Sequence, residues 1–518
     1  MQRKVLALKQ KIKEHGPKKE DLDPRKWMKQ EQVKAFADFV LNKHTEPEAD
    51  TSFDNREMLL QTEKQFIEAA KSNDVTAMRA LGKGLNANAM NVHNRTALHY
   101  AVAGKNREAV ELLLQRRVQV DQRDKFGVAP IHLAAWFGSL EILKLLVRAG
   151  AEQKIENESG HCAFAMAAEH GCVKMLEMLM EPSYNMATMK PSKKGDTPLH
   201  LAARNGHLDA VQLLLKSFDI RDEVNMDGET ALYQAADIGQ EQCVLALLEA
   251  GCDPNIQTTK GSALHPVSER GDTFLVQLLL QYKAHTDFQN EDMEAPLHLA
   301  VKNSHIPVIH FLLEAGCNIN STNKRCETVM HLAAELARID VVEMLLKAEL
   351  DLTLKDWQGK TALGVAARAD EVIIVDMIVK AERYYAWKKA NPEFNDSVHS
   401  EYPLTFKLDH RYETKQLRLM AWRLAYELLK PGDWKRLAEH WGFDQEQVYA
   451  IERQWTGQHS YKEHGNRMLL IWLHGEELAQ KSPSKELYQA LVNTGNGRAA
   501  DQIRMESEKV TSKNCRVS

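Results

Sequence analysis

Cysteine is scarce in the sequence and widely spaced. The chain has 7 cysteines in 518 residues, and no two of them form a Cys-x-x-Cys pair. A disulfide framework or a structural zinc site needs closer spacing. We therefore expect reduced thiols and no metal site.

Long apolar runs are also missing. The run MLLIWL at 468–473 is far shorter than the roughly 20 apolar residues that cross a bilayer. Near the N-terminus only Val5–Leu8 are consecutively apolar, too few for the core of a signal peptide. We expect a soluble intracellular protein without membrane insertion, in the cytoplasm or, as the alternative, in the nucleus.

A large charge of one sign is absent, and so are common catalytic motifs. The net charge of −5 does not favour nucleic-acid binding by the chain as a whole. No G-x-S-x-G, H-E-x-x-H, P-loop or Q-A-C-x-G motif is present. The segment TGNGR at 494–498 lies between predicted helices rather than after a strand, which argues against a nucleotide site. We expect no enzymatic activity and no cofactor.

A repeat of about 33 residues fills the middle of the chain. Segments such as TALHYA (96–101), TPLHLAA (197–203) and TVMHLAA (328–334) recur in one register. Histidine occupies the same position in six copies, and other residues take three further slots. The histidines are His99, His132, His200, His265, His298 and His331, and the other slots hold Ala165, Tyr233 and Gly364. This period and motif are the signature of ankyrin repeats, so we predict an array of about nine to ten repeats over 62–385.

Each repeat reads as two short helices and a turn. In 197–215, Ala202 and Ala203 allow close helix packing, Gly206 ends the first helix, and Val211 and Leu214 form the apolar stripe of the second. One unit cannot bury its apolar face alone, so stacking makes the core. Since stacked helical layers lie about 10 Å apart, the histidines cannot share a metal ion, and we expect each to hydrogen-bond backbone within its own turn.

The chain ends differ from the array. Residues 1–61 are predicted to be a charged, partly helical extension, in which 1–43 carry twelve Lys or Arg against six Asp or Glu. Contact with an anionic membrane or nucleic acid is one interpretation, and a solvated extension is favoured because acids are mixed in. Residues 386–413 are predicted as a Tyr- and Trp-containing linker, and 506–518 as a tail.

Residues 414–505 predict six short helices in a compact bundle. Their spacing, W..LA..WGF…IE…S..E….ML..W…L…L, resembles the death domain family. The predicted fold class is therefore all-α, with an ankyrin-repeat solenoid followed by a six-helix death-domain bundle. The chain from about 62 onward resembles the ankyrin repeat and death domain-containing protein 1 family, most of all in QWTGQHSYKEHGNRMLLIWLHG (454–475).

This resemblance implies a non-enzymatic adaptor or scaffold in signal transduction. The array would bind a client protein, and the bundle would bind a death-fold partner. Candidate partner-binding residues are basic, or lie on the predicted outer face of the helix that Ser460 and Glu463 start as a capping box. They are Arg418, Arg423, Lys430, Lys435, Arg436, Lys462, His464 and Arg467. Simple solvation of the bundle is the alternative for the basic face.

A second function stays open. Asn255, with Leu247 eight residues earlier, and Asn320, with Leu312, resemble ankyrin-repeat targets of an asparaginyl hydroxylase. The chain would then be a regulatory substrate or decoy of a modifying enzyme. A turn-stabilising hydrogen bond is the simpler role for both asparagines.

Overall fold

The computed structural model describes residues 59–81, 84–391, 404, 406, 412–478 and 483–504. The chain divides into two compact units, one of Met1–Val267 with Gln277–Ala284 and one of Ser268–Val276 with His285–Ser518. The predicted all-α class is confirmed, since the described residues form helices and only isolated β-bridges. Residues 1–58 of the predicted extension and the whole of the predicted tail, 506–518, lie outside the described residues.

Twenty helices of the repeat region form ten consecutive pairs. α1 to α12 belong to the first unit, α15 to α20 to the second, and α13 and α14 contribute to both. The pairs are Gln61–Lys71 (α1) and Val75–Leu81 (α2), Ala97–Ala103 (α3) and Arg107–Gln115 (α4), Pro130–Trp136 (α5) and Leu140–Arg148 (α6), Ala163–Glu169 (α7) and Val173–Met180 (α8), Pro198–Arg204 (α9) and Leu208–Ser217 (α10), Ala231–Ile238 (α11) and Glu241–Glu249 (α12), Leu264–Arg270 (α13) and Thr273–Gln281 (α14), Pro296–Lys302 (α15) and Ile306–Glu314 (α16), Val329–Glu335 (α17) and Ile339–Lys347 (α18), and Ala362–Arg368 (α19) and Val372–Ala390 (α20).

The α9–α10 pair shows why the sequence folds this way. Thr197 precedes the helix in an extended conformation, and Pro198 occupies its first turn, where the missing N–H costs nothing. Ala202 and Ala203 are fully buried, as predicted for close packing. Gly206 follows the helix with φ +77°, a conformation that favours glycine, and the chain reverses into α10.

The turns between repeats are linked tip to tip by backbone hydrogen bonds. In the first unit, the Lys125 N–H donates to the His93 carbonyl and the Met226 N–H to the Lys194 carbonyl, at 3.0 and 2.9 Å. In the second unit, the Trp357 N–H donates to the Arg325 carbonyl at 2.9 Å. Successive tips are therefore held in register by the main chain, whatever side chain each tip carries.

The last helix of the repeats is longer than the others. α20 runs to Ala390, so the segment predicted as a linker from 386 begins inside this helix. Its C-terminal part packs on the preceding repeat, where the Tyr385 hydroxyl donates to the Leu346 carbonyl and Lys388 pairs with Glu349. The connector therefore starts as a packed helix.

Six helical segments form the C-terminal bundle. They are Tyr412–Arg423 (α21), continued by a π-helical turn at Leu424–Leu428, then Asp433–His440 (α22), Gln445–Arg453 (α23), Ser460–Leu478 (α24), Pro483–Asn493 (α25) and a last helix over 497–504. Trp434, Leu437, Met468 and Leu469 are buried in its core. Trp472 stacks on Trp441 with ring centroids 4.2 Å apart.

Two predicted absences concern the described part of the chain. No helix there is both long enough and apolar enough to cross a membrane. The six cysteines within it are all free thiols, and burial raises the pKa of Cys243, Cys252 and Cys317 to about 12. These three thiols are poorly reactive at neutral pH because the thiolate is the nucleophile.

Candidate protein-interaction surfaces

The repeat histidines are structural. In each of the six, Nδ1 accepts from the backbone N–H three residues earlier, at 3.0–3.2 Å, which confirms the predicted bond within the turn. Because a backbone N–H can only donate, the neutral ring carries its proton on Nε2. In His99, His200 and His331 this Nε2–H donates to a carbonyl of the next repeat, Val128, Glu229 and Lys360, at 2.9–3.2 Å.

Burial favours the neutral form of four of these rings. It lowers the pKa of His99 and His132 to about 4, and it lowers the pKa of His200 and His298 as well. Among the residues that the structure describes, no three His, Cys, Asp or Glu side chains come together as a metal site. His99, His200 and His331 therefore connect their repeats to the next.

The two candidate hydroxylation sites lie in turns and are half-buried. The Asn255 side chain donates to the Lys283 carbonyl at 3.3 Å, and the Asn320 side chain accepts from the Asp351 N–H at 2.9 Å. Each amide thus binds the backbone of a neighbouring turn, as its structural interpretation predicts. Their modification stays a prediction.

The hairpin tips expose apolar side chains. Phe126 and Met226 in the first unit are 50% and 78% exposed, and Trp357 in the second is 65% exposed. A polar side chain at the start of the tip accepts from tip N–H groups. It is Asp or Asn in most repeats, as where Asp124 accepts from Phe126 at 2.9 Å, and it is Ser192 or Thr258 in two others. These side chains are presented on ordered turns, which lowers the entropy lost when a protein binds them.

The predicted basic residues of the bundle are distributed over α21, α22 and the turn between them. Arg418 is half-buried, and Arg423 and Lys430 are exposed. Lys435 pairs with Glu452, and Arg436 pairs with the buried carboxylate of Asp433. The last two charges are therefore partly neutralised within the bundle, and a partner-binding role for the five stays a prediction.

The prediction that His464 and Arg467 lie on an outer face of α24 is wrong. Both side chains are only 4% exposed, while Lys462 is half-buried. His464 Nε2 bonds to the Gln454 carbonyl at 2.6 Å, and its ring lies beside Trp434. α24 is covered by the rest of the bundle on one side and by α20 on another. The side that carries His464 and Arg467 is therefore buried as well as the apolar stripe.

The predicted capping box at the start of α24 is also wrong. The helix begins at Ser460 as expected, but the Ser460 hydroxyl donates to the Gly457 carbonyl at 2.9 Å. The Glu463 carboxylate instead accepts from the Tyr426 hydroxyl. Glu463 therefore makes a tertiary contact with Tyr426 instead of the capping bond that the local motif predicted.

Arg467 joins the bundle to the last repeat. Its Nε and Nη2 donate to the Asp376 carboxylate on α20, at 3.0 and 2.6 Å. Asp376 is 25% exposed at the side chain, and burial raises its pKa, against the lowering effect of Arg467. A carboxylate in the apolar run VIIVDMIV requires such a partner because an unpaired charge is costly to bury.

About two turns further along α20, two neighbouring residues contact the bundle. The Glu382 carboxylate accepts from Gln447 Nε2 on α23 at 2.8 Å. Arg383 Nη1 donates to the Trp441 carbonyl at 3.2 Å, and its guanidinium lies 4.0 Å from the centre of the Phe443 ring. Burial raises the pKa of Glu382 to about 7, and the nearby carboxylates of Asp444 and Glu446 act in the same direction.

α19 completes this interface where the repeat motif departs from its pattern. Gly364 stands in the histidine slot, so the Thr361 hydroxyl has no ring to bind. It accepts from the Gly364 N–H at 3.2 Å and donates to the Glu446 carboxylate of α23. In three earlier repeats the equivalent histidine donates to a carbonyl of the next repeat. Here α23 of the bundle contacts α19 at this position.

We name this contact between α19–α20 and α23–α24 the docking interface. Sequence reasoning missed all of its residues except Arg467, whose position was misassigned. Two signals were present, namely the acid within VIIVDMIV and the glycine in the histidine column. Neither signal identifies the partner residue, which lies more than 80 residues away in sequence.

Comparison with known families agrees with this architecture. The family model described as ankyrin repeats (3 copies) matches residues 66–157, 119–190, 164–258 and 251–323, and the death domain model matches 422–507. The chain carries ankyrin repeats and a death domain. Ankyrin repeats and death domains are protein-interaction modules, and neither is catalytic. The helix pairs from α17 to α20 follow the matched region with the same design.

Individual relatives resemble only part of this chain. The B-cell lymphoma 3 protein homolog of Mus musculus is 32% identical over 40% of this chain and 48% of its own length. The nuclear factor NF-kappa-B p105 subunit of Gallus gallus is 32% identical over 33% and 18%. A transient receptor potential cation channel subfamily A member 1 homolog of Caenorhabditis elegans is 27% identical over 37% and 16%. The chain spans less than half the length of these relatives.

Proposed function

We propose that this protein is a non-enzymatic adaptor in signal transduction, acting in the cytoplasm with the nucleus as a second compartment. The ankyrin repeats hold a client protein, and the death domain binds a death-fold partner. We also propose that it is a member of the ankyrin repeat and death domain-containing protein 1 family. The two interaction modules in one chain support this, and the exposed apolar tips carry the client-binding part.

The tips offer a surface of the right kind for a protein client. Phe126, Met226 and Trp357 are large, exposed and held on turns whose backbone hydrogen bonds are already made. Large apolar and aromatic side chains supply most of the affinity at protein interfaces. Nothing in the fold of the repeats requires these side chains to be apolar, because the tips are linked through main-chain atoms.

The test is quantitative co-purification from cells with the full chain. Changing Phe126, Met226 and Trp357 together to serine is expected to reduce recovery of client proteins about tenfold or more. The matched control changes Ile238 and Val492 to serine, which are 46% and 48% exposed but lie on helices rather than tips. Equal recovery with the triple variant and the control would contradict client binding by the tips.

A second arm of the same experiment addresses the death domain. Reversing Arg423 and Lys430 to glutamate changes exposed charges on the bundle and leaves the tips intact. We expect the charge-reversed chain to lose a different set of co-purified proteins than the tip variant loses, because each module binds its own partner. If both variants lost the same proteins, the two modules would not act as separate binding sites.

A further inference from the structure

The docking interface has features of a contact that can open. It buries ionised groups, and two guanidinium nitrogens at it, Nε of Arg383 and Nη1 of Arg467, are shielded from solvent and have no hydrogen-bond partner among the described residues. A buried donor without an acceptor raises the free energy of the closed state. Buried ion pairs add little net stability, because desolvation offsets their attraction.

The interface also places like charges close together. The Glu382 carboxylate lies near two other acids, Asp444 and Glu446. The hydrogen bond from Gln447 offsets the burial and the repulsion of this carboxylate only in part. An apolar interface with matched pairs would be expected between parts of one permanent core. Here the closed state is held by a few specific polar contacts that a competitor could replace.

The polar contacts of α20 have a simple spacing. Asp376 and Arg383 are seven residues apart, so they lie on one face of the helix, separated by about 10.5 Å along its axis. Asp376 faces Arg467, and Arg383 faces the Trp441 carbonyl and the Phe443 ring. The death domain therefore has a binding position for an anion on α24, at Arg467, and one for a cation in the turn between α22 and α23, at Trp441 and Phe443.

We propose that α19–α20 is a releasable internal partner of the death domain, and that the face it covers on α23–α24 binds a second protein. That protein presents a helix with a carboxylate and, two turns later, a cation. This inference rests on the proposed adaptor function, since it defines when the death domain is open to a partner. The last repeat blocks the site until the contacts of Asp376 and Arg383 are broken.

The test uses a defined probe, a fluorescent peptide of residues 370–391 that carries the α20 side chains, with the full chain as receptor. Fluorescence anisotropy measures its affinity. The Asp376→Arg chain keeps Arg467 but loses its internal partner, and the 25% exposure of Asp376 lets the new side chain reach solvent. We expect this chain to bind the peptide about tenfold or more tightly than the unchanged chain does.

Two controls define the result. Asp340→Arg reverses an exposed acid in the preceding repeat, for which the structure shows no ion pair among the described residues, and should bind the peptide as the unchanged chain does. A peptide with Asp376→Arg should bind no chain. Equal affinity of the unchanged and Asp376→Arg chains would overturn the internal block, and absence of binding to every chain would overturn the binding site.

Hydrogen–deuterium exchange gives an independent readout and verifies folding. In Asp376→Arg, exchange in α20 and α24 should accelerate, while α3 to α12 should exchange as before. Combining Asp376→Arg with Arg467→Asp exchanges the two charges and should restore slow exchange; a faster double variant would argue against the pair. Recovery of client proteins is measured on the same chains. If recovery does not depend on the tips but the peptide results hold, only the adaptor function is contradicted, and the internal block stands.

Discussion

One side chain type, the repeat histidine, joins two levels of structure. His200 accepts from the Thr197 N–H at the start of α9 and donates to the Glu229 carbonyl of the next repeat. His200 is only 1% exposed. The same imidazole thus caps a helix and sets the stacking of two repeats, which explains its recurrence without any metal.

Replacing His200 by alanine should destabilise the α9–α12 region. The change leaves two backbone groups without partners and a cavity, so we expect a loss of about 2–4 kcal/mol. Local hydrogen exchange is the suitable measurement, because repeat arrays need not unfold in one step.

The control is His310→Ala, whose ring is exposed, and it should change local stability by about 0.5 kcal/mol or less. If the two histidine variants had equal effects, the stacking role of His200 would be rejected.

Helix α19 has Gly364 at the position where the first helix of six other repeats has histidine. A Cβ added at Gly364 would lie 3.6 Å from Lys360 Cβ and 3.7 Å from Glu446 Oε1, which are ordinary contacts. Alanine therefore fits. An imidazole would extend further and would compete with Glu446 for the Thr361 hydroxyl, as it binds the equivalent threonine in other repeats.

Gly364→His should accordingly weaken the docking interface. We expect faster hydrogen exchange in α23 and tighter capture of the 370–391 peptide by this chain, in the same direction as for Asp376→Arg.

Gly364→Ala is the matched control and should behave as the unchanged chain. Unaltered exchange in Gly364→His would show that the empty histidine slot does not contribute to docking.

Over the whole chain, the compact units do not follow the boundary between the two modules. The division falls at α13 and α14, within the repeats, and the second unit contains the last repeats together with the death domain. The docking interface is the reason, because α19 and α20 contact α23 and α24 as neighbouring repeats contact one another. The death domain, which a predicted linker separates from the repeats in sequence, packs against the last repeat.

Docking should depend on pH through Glu382. Its pKa of about 7 in the docked state is raised above the usual glutamate value, chiefly by burial, so the docked state binds this proton more tightly than an open state. Docking is therefore strongest at low pH and weakens as pH rises through about 7. The raised pKa of Asp376 acts in the same direction.

The measurement is capture, at pH 6 and pH 8, of a 370–391 peptide that carries Glu382→Gln, so that peptide binding takes up no proton at this position. The unchanged chain should capture more of this peptide at pH 8, when the interface opens more readily. Glu382→Gln, introduced in both chain and peptide, should flatten this dependence, and an unchanged pH profile in that variant would assign the effect to other groups.

Much of the fold is readable from local pattern. The 33-residue period, the alanines that allow close packing and the glycine after α9 predict paired helices because each acts within a few residues of itself. The spacing of Trp434, Trp441 and Trp472 likewise predicts a compact bundle. Local chemistry also explains the histidines, since a ring three residues into a helix is close to its first N–H groups.

The docking interface lies beyond local pattern. Asp376, Glu382 and Arg383 appear in the sequence as ordinary charges near the end of a helix, and Arg467 as a residue opposite an apolar stripe. Whether such charges face solvent or each other depends on contacts between segments some 65 to 91 residues apart. The chain's repeats and helical bundle follow from short-range periodicity, and their joining follows from long-range burial of charges that no periodicity records.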